Sequence, residues 1–143
     1  MEKREMPNEV LLGAVEQMLD EGREVVITPK GNSMLPFIRG DRDSVRLQKK
    51  DSLEIGDIVL VNLGNRYILH RIIAIDGDNV TLMGDGNVKG TESCRKENVC
   101  GTVTGIQRDG KMRNPGKGRL WGRLLPVRRY LLAIRRRLPG KWK

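Results

Sequence analysis

Ser33, within Gly31-Asn32-Ser33-Met34-Leu35-Pro36, and His70, the one histidine of the 143-residue chain, are the residue types that acyl transfer through a serine requires. A serine hydroxyl is a weak nucleophile at neutral pH, so it needs a base within hydrogen-bond reach and donors for the oxyanion it creates. Glycine before Ser33 and proline after it suit a fixed turn, because glycine admits backbone conformations closed to other residues and proline locks its own φ. Each residue also has a plainer reading. Ser33 alone fits an ordinary surface turn, and His70 alone fits a structural core histidine.

The elements that must hold these residues follow from periodicity. Residues 7–21 open with Pro7-Asn8-Glu9 and carry Val10, Leu11, Ala14, Val15, Met18 and Leu19 at helical spacing, with Gly22 as the stop. One stripe of that helix is expected to pack on the body that follows. From Glu24 the pattern changes to short β-type runs at Val25–Thr28, Ser44–Gln48, Asp57–Leu63, Tyr67–Ile75, Asn79–Met83 and Val99–Ile106. Leu63-Gly64-Asn65 and Asp76-Gly77-Asp78-Asn79 have hairpin chemistry. The fold class expected is mainly β, a coiled antiparallel sheet or partly open barrel, with an N-terminal helix and a C-terminal basic amphipathic helix. Strict alternation along Tyr67–Ile75 puts Ile68, His70, Ile72 and Ala74 on one face and Tyr67, Leu69, Arg71, Ile73 and Ile75 on the other. His70 is thereby placed among apolar neighbours, where burial favours neutral imidazole, the form a general base needs.

Three segments in order carry a resemblance. They are the Ser33 turn with Gly40-Asp41 behind it, the run Tyr67-Ile68-Leu69-His70-Arg71-Ile72, and Met83-Gly84-Asp85-Gly86-Asn87. Over residues 25–107 the chain resembles the type I signal peptidases and the related LexA-like self-cleaving repressors. That resemblance implies a serine peptidase on their coiled β fold, with Ser33 as nucleophile and His70 at the base position. Those bacterial families place lysine there, so a histidine looks like the signal peptidases of archaea and the endoplasmic reticulum. Asp85, from the Gly-Asp box, is the third catalytic member the resemblance implies, with a loop-capping role as its alternative. Histidine-type enzymes carry a second aspartate after that box. This chain has none there, and Glu92 is the nearest acidic substitute.

The resemblance also assigns Met34 and Pro36 to substrate binding, with a core position as the alternative for Met34. The Ser33 backbone N–H is the natural oxyanion donor. Gly31 stands where several bacterial signal peptidases offer a second, hydroxyl donor, and losing one such donor costs on the order of 3 kcal/mol. Gly40-Asp41 and Gly56-Asp57 match turn-building positions, so a structural role is expected for both pairs.

Charge divides the chain unevenly. The net charge is +9, yet residues 1–107 hold 14 basic and 17 acidic side chains, whereas residues 108–143 hold 13 basic and 1 acidic. Four segments are expected: a helix over 1–23, a catalytic β domain over 24–107, a basic Gly/Pro linker over 108–118, and a basic amphipathic helix over 119–143. Within the last, Leu120, Leu124, Val127, Leu131, Ile134 and Leu138 recur at helical intervals among arginines. Such a segment suits an anionic membrane surface or an acidic partner protein, the membrane being preferred. Nucleic acid ranks last, since an apolar stripe adds nothing to phosphate contact. No run reaches the roughly 18 apolar residues of a membrane span, and no apolar leader opens the chain, so a cytoplasmic protein, peripheral at the inner membrane face, is expected. Cys94 and Cys100 are too few and too loosely spaced for zinc, and neither metal nor cofactor is expected. Free thiols or a strand-loop disulfide remain for the pair.

The functional expectation is therefore a serine endopeptidase acting on a peptide or protein precursor. A peptide-binding module without turnover is the alternative. A self-cleaving regulator comes third, because Cys100-Gly101 superficially resembles a self-cleavage dipeptide but follows the catalytic segments.

Overall fold

A computed structural model describes residues 2–5, 9–29, 34, 38, 42–64, 66–84 and 90–116. In chain order the elements are β1 (Glu2–Glu5), α1 (Glu9–Asp20), β2 (Val25–Thr28), β3 (Ser44–Gln48), β4 (Ile58–Asn62), β5 (Tyr67–Asp76), β6 (Asn79–Met83), β7 (Glu92–Arg95), β8 (Val99–Arg108) and β9 (Lys111–Arg113). They form one curled sheet in the order β1-β2-β3-β8-β4-β5-β6-β7, with β9 on β8. Every pairing is antiparallel except β1 with β2. The expected coiled antiparallel sheet with an N-terminal helix is what the chain forms. The expected C-terminal helix at 119–143 lies outside the described residues.

Helix α1 ends as its glycine dictates. Gly22 has φ 86°, Gly22 N–H donates to Leu19 O and Arg23 N–H to Met18 O, the paired bonds of a Schellman stop. Among its described side chains, Leu12, Val15 and Leu19 are buried, whereas Ala14, expected on the packed stripe, is exposed. Val15 and Leu19 are on the expected stripe and Met18 packs half-buried beside them, so the face differs from the expected one only in taking in Leu12 and leaving out Ala14. Val15 and Leu19 enter a core with Val25, Ile27, Val45, Leu47, Ile58, Leu60, Leu69 and Val103. At the same interface Gly101 leaves room for Leu19: a Cβ there would stand 2.9 Å from Leu19 Cδ1. Polar contacts fix the helix rotation. Tyr67 Oη donates to Glu16 Oε1 at 2.7 Å, Asn62 Nδ2 donates to the same oxygen at 3.1 Å, and Lys49 pairs with Asp20.

The opposite face of the central strands carries a second core of Val59, Val61, Ile68, Ile72, Val80, Leu82 and Val99, with Leu53, Ile75 and Cys94 against it. Strands β4, β5 and β8 are thus covered on both faces. Near-continuous apolar runs such as Ile58-Val59-Leu60-Val61 result, in place of clean alternation.

Three bulges adjust which face each side chain meets. The shift between Ile72 and Ala74 leaves Ile73 unopposed, and Ile75 turns to the face of Ile68 and Ile72. This corrects the strict alternation expected for that strand. A second shift, between Leu60 and Val61, makes Cys100 the extra residue of β8. Cys100 therefore joins the first core while Cys94 packs on the second, and both are free thiols, which removes the disulfide alternative.

Residues 108–118 are expected as a linker, and residues 108–113 instead continue the sheet. Arg108 ends β8, Asp109 (φ 53°) and Gly110 (φ 80°) make a two-residue turn, and Lys111 pairs with Arg108. Positive φ at both central positions is the turn whose twist matches paired strands. Arg108 also donates through Nε (3.0 Å) and Nη2 (2.7 Å) to Oδ2 of Asp43, which is 0% exposed.

Candidate active site

His70 sits mid-strand on β5, directly opposite Val59 of β4, with Ile68 and Ile72 on either side along the same face. It is 6% exposed. Its surroundings are the apolar ones expected, with one addition. Nδ1 lies 3.1 Å from Oε2 of Glu92, the first residue of β7. Glu92 faces the same core because it pairs with Leu82, and Leu82 pairs with Ile72. Its other oxygen, Oε1, lies 3.7 Å from Nη2 of Arg66, so one carboxylate bridges a buried imidazole and an exposed guanidinium.

The path between β7 and β5 passes over β6. Continuing the β5–β6 register one step beyond Arg71↔Met83 sets buried Gly84 opposite His70. With a carboxylate accepting from Nδ1–H, the lone pair of the ring resides on Nε2, the arrangement in which a histidine serves as general base.

The strand is held in place from its other side. Arg71, 4% exposed, points to the opposite face and donates from Nη1 to Gly56 O (2.7 Å) and Gly116 O (3.0 Å). Gly56 N–H donates to Ile72 O and Ile72 N–H to Asp57 O, while Asp57 Oδ2 accepts from Glu54 N–H. Gly56, at φ 99°, supplies a backbone that a side-chain-bearing residue rarely adopts. Gly56-Asp57 is therefore the structural turn expected of it, and it clamps the strand bearing His70.

Of the other site residues expected from sequence, Ser33, Pro36 and Asp85 lie outside the described residues, as do Gly31 and Gly40-Asp41. Met34 is described. It is buried in the first core, and its carbonyl accepts from Ile38 N–H. That is the core position named as the alternative to a substrate contact. Glu92 entered the sequence reading only as a substitute for a missing aspartate, and Arg66 did not enter it at all. The signal for Glu92 was indirect, an acidic residue at the start of a short strand that its neighbours Ser93, Cys94 and Arg95 scarcely advertise.

Burial pushes the Cys94 thiol up. Burial together with the nearby Glu16 carboxylate pushes Cys100 up to about 12, and at both positions the upward shift disfavours the reactive thiolate. Among the described residues no group of three or more His, Cys, Asp or Glu stands ready for a metal ion, and no helix is long and apolar enough to cross a membrane.

Comparison with curated proteins gives no match. The family model described as Peptidase S24-like does match, over residues 7–104, a span running from the residues just before α1 into β8 and including Ser33, His70 and Glu92. This is the LexA-like side of the resemblance carried by the three sequence segments. Because the match covers well over half of the chain, this protein belongs to the Peptidase S24-like family.

Proposed function

We propose that this protein is a serine endopeptidase of histidine type in which Ser33 is the nucleophile, His70 the general base and Glu92 the acid behind the imidazole. The observation that carries the reading is the 3.1 Å approach of Glu92 Oε2 to His70 Nδ1 in a chain of the peptidase family. Ser33 Oγ attacks the scissile carbonyl as its proton passes to His70 Nε2, and the Ser33 backbone N–H faces the oxyanion. Collapse of the tetrahedral intermediate breaks the C–N bond, with His70 giving its proton to the leaving amine. Water, deprotonated by the same imidazole, then releases the acyl group and restores Ser33.

Glu92 takes the part assigned to Asp85 in the sequence reading. It fixes the tautomer and offsets the imidazolium charge as it forms. The substrate class is a peptide or protein precursor of the signal-peptidase kind. The arginine-rich stripe of residues 119–138 would bring the body to an anionic membrane surface. Self-cleavage at Cys100-Gly101 is disfavoured, because both residues are buried in β8 between β3 and β4.

A fluorophosphonate probe tests the assignment. Labelling of the folded chain at Ser33, lost in Ser33→Ala and strongly slowed in both His70→Ala and Glu92→Gln, is the expected result. Absence of labelling in a folded chain that still binds peptide would instead establish the module without turnover, a reading favoured by the missing hydroxyl at Gly31.

A further inference from the structure

Arg66 closes the turn between β4 and β5: its carbonyl accepts from Leu63 N–H at 2.8 Å, just outside the Asn62↔Tyr67 pair. Counting by twos along the chain puts it on the face of Ile68 and His70. Its guanidinium meets the same carboxylate as the imidazole does, with Nη2 3.7 Å from Glu92 Oε1 while Glu92 Oε2 lies 3.1 Å from His70 Nδ1. Among the described residues Arg66 has no other ion pair.

A separation of 3.7 Å is beyond a normal hydrogen bond, so the guanidinium acts on Glu92 as a charge and not as a directional clamp. That charge has a consequence for the ring. A carboxylate beside an imidazole favours the protonated imidazolium, whereas a general base must start neutral, and a cation on the far oxygen of the same carboxylate opposes the protonation. Around His70, β4 presents Val59, β6 presents Leu82, and β5 itself presents Ile68 and Ile72, with Arg71 turned to the opposite face. Strand β7 presents Glu92 and Cys94, and burial pushes the Cys94 thiol up, which keeps it uncharged. Among the described residues, Glu92 and Arg66 are therefore the charges that face this side of the sheet at the imidazole. Asp85 lies outside the described residues and is the same in every variant compared below.

We propose that Arg66 is a positioning residue that acts through Glu92: its guanidinium offsets part of the negative charge behind His70 and so keeps the imidazole neutral, ready to accept the Ser33 proton, down to lower pH. Its effect on catalysis rests on the peptidase reading above, whereas its effect on the ring rests on the geometry alone. Because the guanidinium side chain is 56% exposed, water and salt weaken its field and the effect is modest.

The test compares the full-length chain with Arg66→Ala and Arg66→Lys, substitutions at an exposed side chain that keep the Leu63–Arg66 backbone bond. His70 is the one histidine, so its ring resonances titrate without overlap in nuclear magnetic resonance, and a Ser33→Ala background makes that reading independent of catalysis. Arg66→Ala should move the titration to higher pH, and Arg66→Lys should restore most of it. Fluorophosphonate labelling of the proteins that retain Ser33 should show a crossover: Arg66→Ala about two- to fivefold slower than wild type near pH 5, and equal or faster near pH 8. Damage to the fold would slow labelling at both. An unmoved titration in Arg66→Ala overturns the proposal, and so does a move to lower pH, which would make Arg66 a clamp that presses Glu92 onto the ring. A titration that moves as expected in a chain labelled at no pH supports the charge relation and overturns the peptidase reading instead.

Discussion

Glu92 reaches His70 across an intervening strand: the carboxylate starts on β7, the imidazole sits on β5, and 3.1 Å separates Oε2 from Nδ1. For the proposed peptidase this contact decides which acid matters. Replacing the base by His70→Ala should slow fluorophosphonate labelling of Ser33 by about 10²–10⁴-fold. Glu92→Gln, which keeps the volume and loses the charge, should fall in the same range, while Asp85→Asn should keep most of the activity. The reverse order for the two acids would return the role to Asp85.

Much of this was legible in the chain itself. Val25–Thr28, Ser44–Gln48 and Asn79–Met83 carry their strand pattern openly, and the structure reproduces those bounds. What stayed hidden has identifiable causes. Strand β1 is Glu-Lys-Arg-Glu, with no apolar periodicity to betray it, and it forms because β2 offers a free edge. Strand β7 alternates half-buried and exposed residues too weakly to stand out. Strand β9 was hidden by its composition, although Asp109-Gly110 is one of the strongest hairpin dipeptides. Basic and glycine-rich neighbours made it read as linker. Glu92 was nameable from sequence, but its contact with His70 depends on a pairing two strands away, which no local pattern encodes.

The pair Asp43–Arg108 is asymmetric, with an aspartate side chain wholly buried and an arginine 21% exposed. Arg108→Ala takes a guanidinium away from a wholly buried carboxylate and should cost about 3–5 kcal/mol of stability in urea unfolding. Asp43→Ala should cost less, since the released guanidinium can turn toward water. A larger loss for Asp43→Ala would show that the aspartate has a second role.

Cys100 gives the protein an alkaline limit. A thiol moved from 9.0 to about 12 stays protonated in the folded chain where the unfolded chain has already lost its proton. The native state then binds the extra proton, so this contribution is complete below about pH 9 and is lost as pH rises toward about 12. Cys100→Ala should be less stable at neutral pH, through the cavity it leaves, yet its stability should decline less steeply above pH 9. Parallel curves for variant and wild type would remove the buried thiol as the cause.

Gly101→Ala tests the docking of α1 on β8. The added methyl meets Leu19, itself fully buried and unable to swing aside, and overpacking of this kind costs about 1–3 kcal/mol. A second change, Leu19→Ala, would relieve the clash while opening a cavity. The two should therefore be non-additive, with the double variant less damaged than the sum of the single ones.

Arg71 has a consequence for anything that pulls on the C-terminal segment. By holding Gly116 O with the same guanidinium nitrogen that holds Gly56 O, it fastens the departure point of that segment to the residue adjoining His70. The last 27 residues thus hang from a knot tied at the imidazole's own strand, not from a loose end. Shortening the chain just after Gly116 spares that knot. Shortening it before Lys111 unties it and strips away β9 as well, so a body cut after Gly116 keeps contacts that one cut at Gln107 loses.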